Sequence, residues 1–154
     1  MNLKKLIRDV PEFPKAGIIF KDITPLLKNP KGFKSAINQM AKMNWGLSPI
    51  HKIVSMESRG FIFGAALALK LGAGFVPVRK KGKLPYKTIR EEYQLEYGTD
   101  ILEIHEDAIC KDENILIVDD VLATGGTAKA VCSLIEKLGG KVTGLCFLIE
   151  LSFL

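Results

Sequence analysis

One stretch constrains this chain more than any other: Ile115-Leu-Ile-Val-Asp-Asp-Val-Leu-Ala-Thr-Gly-Gly-Thr127. Four consecutive apolar residues, Ile115 to Val118, read as a strand buried on both faces, as in the middle of a parallel sheet. Asp119 and Asp120 then stand at its C-terminal end, where open α/β sheets bind their ligands. Ala123 to Thr127 leads directly into an amphipathic helix over residues 127–138. Gly125 and Gly126 tolerate backbone angles that let successive N–H groups converge, and a helix start adds partial positive charge. With the hydroxyls of Thr124 and Thr127, this is a phosphate cradle made of neutral groups. Two carboxylates would repel a phosphate, but they accept well from neighbouring hydroxyls such as those of a ribose. The whole constellation fits a pentose beside its own 5′-phosphate. The plainer alternative is a helix N-terminus with two incidental aspartates. GxxxxGK[ST] is absent, which removes the P-loop, and the lack of GxGxxG weakens a dinucleotide fold.

The rest of the chain agrees with an α/β fold, mostly parallel. Residues 31–43 carry Phe33, Ile37, Met40 and Ala41 at helical spacing. A short apolar run at 52–56, a Gly/Ala-rich helix at 60–71 and a strand at 75–78 follow, with Gly72 and Gly74 as the stop between helix and strand. Residues 92–97 and 101–105 have strand composition either side of Gly98-Thr99-Asp100, which predicts a hairpin that covers something. A last strand is expected over 142–149, after the Gly139-Gly140 helix stop. The first 30 residues, punctuated by Pro11, Pro14, Gly17, Pro25 and Pro30, read as an irregular piece draped over the main body. No repeat or linker divides the chain, so residues 1–154 are expected to form a single domain.

Composition removes several classes. No stretch approaches the roughly 18 apolar residues of a membrane span, and the start lacks the apolar core of a secretory signal. Cys110, Cys132 and Cys146 are widely spaced and odd in number, which fits reduced thiols in a cytoplasmic protein. His51 and His105 sit at no zinc-ligand spacing from them. The net charge of +5 points to an anionic partner. Its densest cluster, Arg79, Lys80, Lys81, Lys83, Lys87 and Arg90, is by itself a basic loop that could simply be solvated. Basic residues are not interleaved with stacking aromatics, which disfavours a nucleic-acid binder.

VDDVLATGGT closely resembles the phosphoribosyl-diphosphate motif of the type I phosphoribosyltransferase family, in the form carried by its adenine-specific members. The resemblance continues in FPKAGIIFKDITPLL (13–27), ESRGFIFG (57–64), VRKKGKLP (78–85), EYQLEYG (92–98) and FLIEL (147–151). It implies transfer of ribose 5-phosphate from 5-phosphoribosyl 1-diphosphate to N9 of adenine, releasing AMP and diphosphate. It also implies a magnesium ion chelated by diphosphate and ribose oxygens, no dedicated metal site on the protein, and a homodimer. Members usually run on beyond the terminal strand, whereas this sequence ends at Leu154, so a short tail is expected.

The resemblance assigns roles residue by residue. Ala123, Thr124, Gly125, Gly126 and Thr127 hold the 5′-phosphate, while Asp119 and Asp120 contact the ribose hydroxyls. Ser58 and Arg59 take diphosphate, with a strained peptide bond at Glu57–Ser58. Arg79, Lys80 and Lys83, within a loop-and-flap region at 79–105, make a second diphosphate contact, commonly delivered from the neighbouring subunit. In the N-terminal base-binding segment (1–30), Phe20 stacks on adenine while Ile19 and Lys21 read its edge, although many members have arginine where Lys21 stands. Glu96 matches the flap acid/base and, with Arg59, is the expected catalytic pair.

Bland readings compete at two of these positions. Phe20 could be a core aromatic, and Glu92, Gln94 and Glu96 could form a solvated strand face, leaving Tyr93, Leu95 and Tyr97 as the apolar one. Ala123 sharpens the base preference, because 6-oxopurine enzymes place an aspartate there to meet a protonated N7. Adenine offers an unprotonated N7 that a carboxylate would repel. The remaining alternatives are a phosphoribosyltransferase for xanthine or another base, and a regulator that binds nucleotide on the same fold without catalysis.

Overall fold

A computed structural model describes residues 1–95 and 97–154, and the chain folds as two compact units, Met1–Met43 and Asn44–Leu154. In the first unit, strands β1 (Arg8–Pro11) and β2 (Ile19–Asp22) pair antiparallel, followed by helices α1 (Thr24–Leu27) and α2 (Pro30–Lys42). This segment is therefore not irregular. Its prolines sit where they cost little: Pro25 and Pro30 occupy the first turns of helices, whose N–H groups have no intrahelical acceptor. Asn29 caps α2 by accepting the Gly32 N–H at 2.9 Å.

The second unit is built on a six-stranded, mostly parallel sheet. Its elements are β3 (Lys52–Met56), α3 (Arg59–Leu71), β4 (Gly74–Lys80), β5 (Thr88–Gln94), β6 (Thr99–His105), β7 (Asn114–Leu122), α4 (Gly126–Lys137) and β8 (Lys141–Glu150). The strand order is β5-β6-β4-β3-β7-β8, with β4, β3, β7 and β8 parallel and the β5–β6 hairpin added antiparallel at the edge of β4.

Ile115, Leu116, Ile117 and Val118 have no exposed surface because both faces of β7 are covered. Ile115 and Ile117 pack with Ala130, Val131, Leu134 and Ile135 of α4, and the alternate residues face the side on which α3 lies. Each fully buried aliphatic side chain here contributes about 1.5–3 kcal/mol relative to exposure. The continuous apolar run is thus the signature of a doubly covered strand.

Two expectations are corrected in detail. Strand β7 does not stop before the aspartates: Asp119 pairs in register with Phe147, and Leu122 with Glu150, so both carboxylates lie within the strand. The hairpin turn closes earlier than Gly98-Thr99-Asp100. Leu95 N–H donates to Gly98 O at 2.9 Å, Gly98 takes a positive φ of 91°, and Thr99 already pairs with Gln94. Leu95 and Tyr97 therefore lie outside the strand and are exposed, 47% and 82%, so they form no packed apolar face with Tyr93. Glu96 lies outside the described residues.

Candidate active site

At the C-terminal end of β7 the chain turns through Ala123–Gly125 into α4, and Gly125 sits at the helix N-cap with φ 89°, a left-handed angle that side chains resist. The turn encloses a pocket of about 100 Å³. Ala123, Thr124, Gly125, Gly126 and Thr127 line it, with Asp119 at one side and Met56 and Phe147 as apolar wall. Backbone N–H groups of the first helical turn lack intrahelical acceptors, so the pocket presents donors and the positive end of α4 to an anion.

The two carboxylates differ. Asp120 is 5% exposed, and Arg59 Nε lies 2.7 Å from its Oδ2. Asp119 Oδ1 accepts the Asp120 N–H at 2.8 Å. Burial, together with the adjacent Asp120 carboxylate, pushes the Asp119 acid up to about 7. Close approach of α3 contributes to that burial. A Cβ on Gly60 would stand 2.6 Å from Asp119 Oδ1 and 3.5 Å from the Val118 carbonyl, so only glycine fits.

Arg59 opens α3, where the helix dipole disfavours a cation, and the Asp120 carboxylate offsets that penalty. Ser58 is the exposed N-cap residue and makes no side-chain cap hydrogen bond. The Glu57–Ser58 peptide bond is cis, at the position where the resemblance implied a strained one. The basic cluster is not one loop: Arg79 and Lys80 end β4, paired with Glu103 and Leu102 of β6, Arg90 lies in β5, and only Lys81, Lys83 and Lys87 fall in the connection between those strands. Lys80 Nζ pairs with Asp100 Oδ2 at 2.6 Å, and Lys83 Nζ with Glu57 Oε2 at 2.7 Å. Arg79 Nε is 3.4 Å from Glu57 Oε1.

In the first unit, Ile19 is 58% exposed and Phe20 is half-buried, its ring edge-on to Phe13 at 5.2 Å between centroids. Lys21 Nζ pairs with Asp9 Oδ1 at 2.6 Å. Within the second unit the fold brings Asp119 together with Ala123–Thr127, and Arg59 together with Asp120. The side chains of Arg79, Lys80 and Lys83 rest on carboxylates of the chain itself.

Sequence reasoning missed Glu57, Gly60 and Asp100. ESRG was in view, but nothing in it reveals that Glu57 meets residues 23 and 26 positions on, or that Gly60 meets Asp119. Among the described residues no group of three or more His, Cys, Asp or Glu could hold a metal. Nor, among them, is any helix long and apolar enough to cross a membrane.

The family profile described as phosphoribosyl transferase domain matches residues 23–151. Over all 154 residues the chain is 62% identical to an adenine phosphoribosyltransferase of Thermotoga sp. (strain RQ2), covering 90% of that protein. The solved adenine phosphoribosyltransferase of Thermoanaerobacter pseudethanolicus superimposes with a TM-score of 0.95 at 55% identity, over 99% of this chain and 88% of that one. The Saccharomyces cerevisiae enzyme, crystallised with adenine and D-2,5-dideoxy-2,5-imino-altritol 1,6-bisphosphate, superimposes at 0.89 with 42% identity, over 98% and 88% of the two chains.

Proposed function

The chain belongs to the phosphoribosyltransferase family, among its adenine phosphoribosyltransferases, and from that premise we propose how its residues carry the reaction. Ribose 5-phosphate passes from 5-phosphoribosyl 1-diphosphate to N9 of adenine, giving AMP and diphosphate in purine salvage. Bond cleavage at the anomeric carbon leaves an oxocarbenium-like sugar and a departing anion. The protein's work is to align the three groups and steady the developing charge.

The observation that carries this reading is a single pocket shared by Ala123–Thr127 and Asp119. The 5′-phosphate takes the backbone donors at the start of α4 with the hydroxyls of Thr124 and Thr127, and the ribose hydroxyls donate to Asp119 and Asp120. Arg59, already beside Asp120, swings between that carboxylate and the diphosphate, together with Ser58 at the positive end of α3. Arg79, Lys80 and Lys83 supply the second diphosphate contact, from the neighbouring subunit of a homodimer. Glu96 serves as acid/base at the purine. Phe20 stacks on adenine while Ile19 and Lys21 read its edge, roles supported by the sequence resemblance. Ala123 leaves N7 of adenine unopposed.

Magnesium fits this donor set as an ion carried in by the substrate, held by diphosphate and ribose oxygens with Asp119 and Asp120 nearby. When bound it neutralises diphosphate charge and so eases its departure. The match of the family profile runs from residue 23 to 151, across both compact units, which supports one working domain. Three free thiols fit a cytoplasmic setting.

Incubation with 5-phosphoribosyl 1-diphosphate, magnesium and single bases tests the reaction. AMP should form from adenine, with no nucleotide from hypoxanthine, guanine or xanthine. Tight nucleotide binding without turnover of any base would instead identify a regulator.

A further inference from the structure

Glu57 has no part in the scheme above, yet its carboxylate meets three residues of the basic cluster, Arg79, Lys80 and Lys83. Its side chain is only 13% exposed. Oε1 accepts the backbone N–H of Lys80 at 2.8 Å, and Oε2 accepts from Lys83 Nζ at 2.7 Å. Arg79 Nε approaches Oε1 at 3.4 Å without hydrogen-bond geometry, and that buried nitrogen has no other hydrogen-bond acceptor. Burial alone would raise the Glu57 acid, but Lys83, the Lys80 amide and Arg79 outweigh it and hold the acid below its usual range. One carboxylate thus gathers one backbone donor and two cations from the loop. It also stands immediately before Ser58 and Arg59, and its own N–H donates to the Val78 carbonyl at 3.2 Å, which ties the end of β3 to β4.

These bonds fall into two kinds. The Lys80 amide is backbone and cannot leave without moving the chain, so it fixes the end of β4, from which the connection to β5 departs. Lys83, 48% exposed at its side chain, and Arg79, whose Nε meets Oε1 without hydrogen-bond geometry, are held only through their side chains and can exchange one anion for another. We infer that Glu57 is a positioning residue that holds the end of β4 through the Lys80 amide and acts as an internal counter-ion, competing with diphosphate for Lys83 and Arg79. Its negative charge offsets part of the positive charge of this segment before substrate arrives and draws Lys83 back when diphosphate leaves. The inference rests on the proposed diphosphate role of this loop.

The sign of one substitution separates this from a merely structural role. Glu57→Gln keeps an acceptor for the Lys80 amide and removes the competing charge. Magnesium diphosphate should then bind about three- to fivefold more tightly by calorimetry, the range of a partly exposed ion pair, and the KM for 5-phosphoribosyl 1-diphosphate should fall with it. Glu57→Asp, which keeps the charge but draws it back, should lie between wild type and Gln, and this variant serves should Gln not fold. Lys83→Met should weaken diphosphate binding, and adding Glu57→Gln to it should give less tightening than in the wild-type background, because the two residues share one interaction. Weaker or unchanged diphosphate binding in both Glu57 variants, with Lys83→Met still harmful, overturns the counter-ion role alone. Unchanged binding in Lys83→Met overturns the diphosphate role of Lys83 in this loop, and the inference with it.

Discussion

Asp119 shows how much a single residue's surroundings decide. Folding raises its pKa from about 3.8 to about 7, so between those values the native chain holds a proton that the unfolded chain has lost. The stability linked to that proton is fully present below the unfolded value and is lost as pH rises through about 7. Asp119→Asn keeps an oxygen to accept the Asp120 N–H but never ionises. Its melting temperature should exceed that of the wild type by a few degrees at pH 8, and the gap should narrow steadily as pH falls from about 7 toward about 3.8. A gap independent of pH would show that the carboxylate is not strained by its setting. Ligand binding should respond in the opposite sense, since ribose hydroxyls donate best to an ionised acceptor. The KM for 5-phosphoribosyl 1-diphosphate should therefore fall from pH 6 to pH 8 more steeply in the wild type than in Asp119→Asn. The aspartate pair and the TGGT turn were legible from residue types alone, because few other uses account for that order. The inequality of the two aspartates was not, since it comes from Arg59 and Gly60, some 60 positions upstream.

At the scale of elements, the site depends on α3 lying close against β7. Gly60→Ala places a methyl group 2.6 Å from a carboxylate oxygen already committed to the Asp120 amide. Either the start of α3 lifts or Asp119 turns out of the pocket. The expected cost is about 1–3 kcal/mol, as for overpacking a tight interior. Chemical denaturation should show it, together with a raised KM for 5-phosphoribosyl 1-diphosphate. Unaltered stability and KM would mean that this contact does not matter. Elements with strong periodicity were read well: β3 at 52–56 is as expected, and α2, α3 and α4 differ by a residue at their ends. Errors arose where pairing overrode local preference. Aspartates are poor strand formers, but β8 continues the ladder past them. Gly98-Thr99-Asp100 carries the local turn signal, while strand register places Thr99 and Asp100 in β6. Of the first unit's prolines, Pro25 and Pro30 mark helix starts and Pro11 the end of β1, so a run of prolines is compatible with regular elements at these places.

For the molecule as a whole, the polypeptide arranges its charges so that each cation proposed for diphosphate already has a carboxylate to rest on. Arg59 rests on Asp120, Lys80 on Asp100, and Lys83 and Arg79 on Glu57. The pairs of Lys80, Lys83 and Arg79 are partly exposed and individually weak, on the order of 1 kcal/mol or less, so a multiply charged substrate can displace them. Arg59, by contrast, sits on a buried carboxylate and is held more firmly. The neutral cradle at the start of α4 needs no such exchange and should be the first grip on substrate. A crystal structure with AMP bound tests this most directly. The account predicts the 5′-phosphate within hydrogen-bond reach of the backbone of Thr124–Thr127, with the ribose hydroxyls on Asp119 and Asp120. AMP held elsewhere, with no density beside residues 119–127, would contradict it.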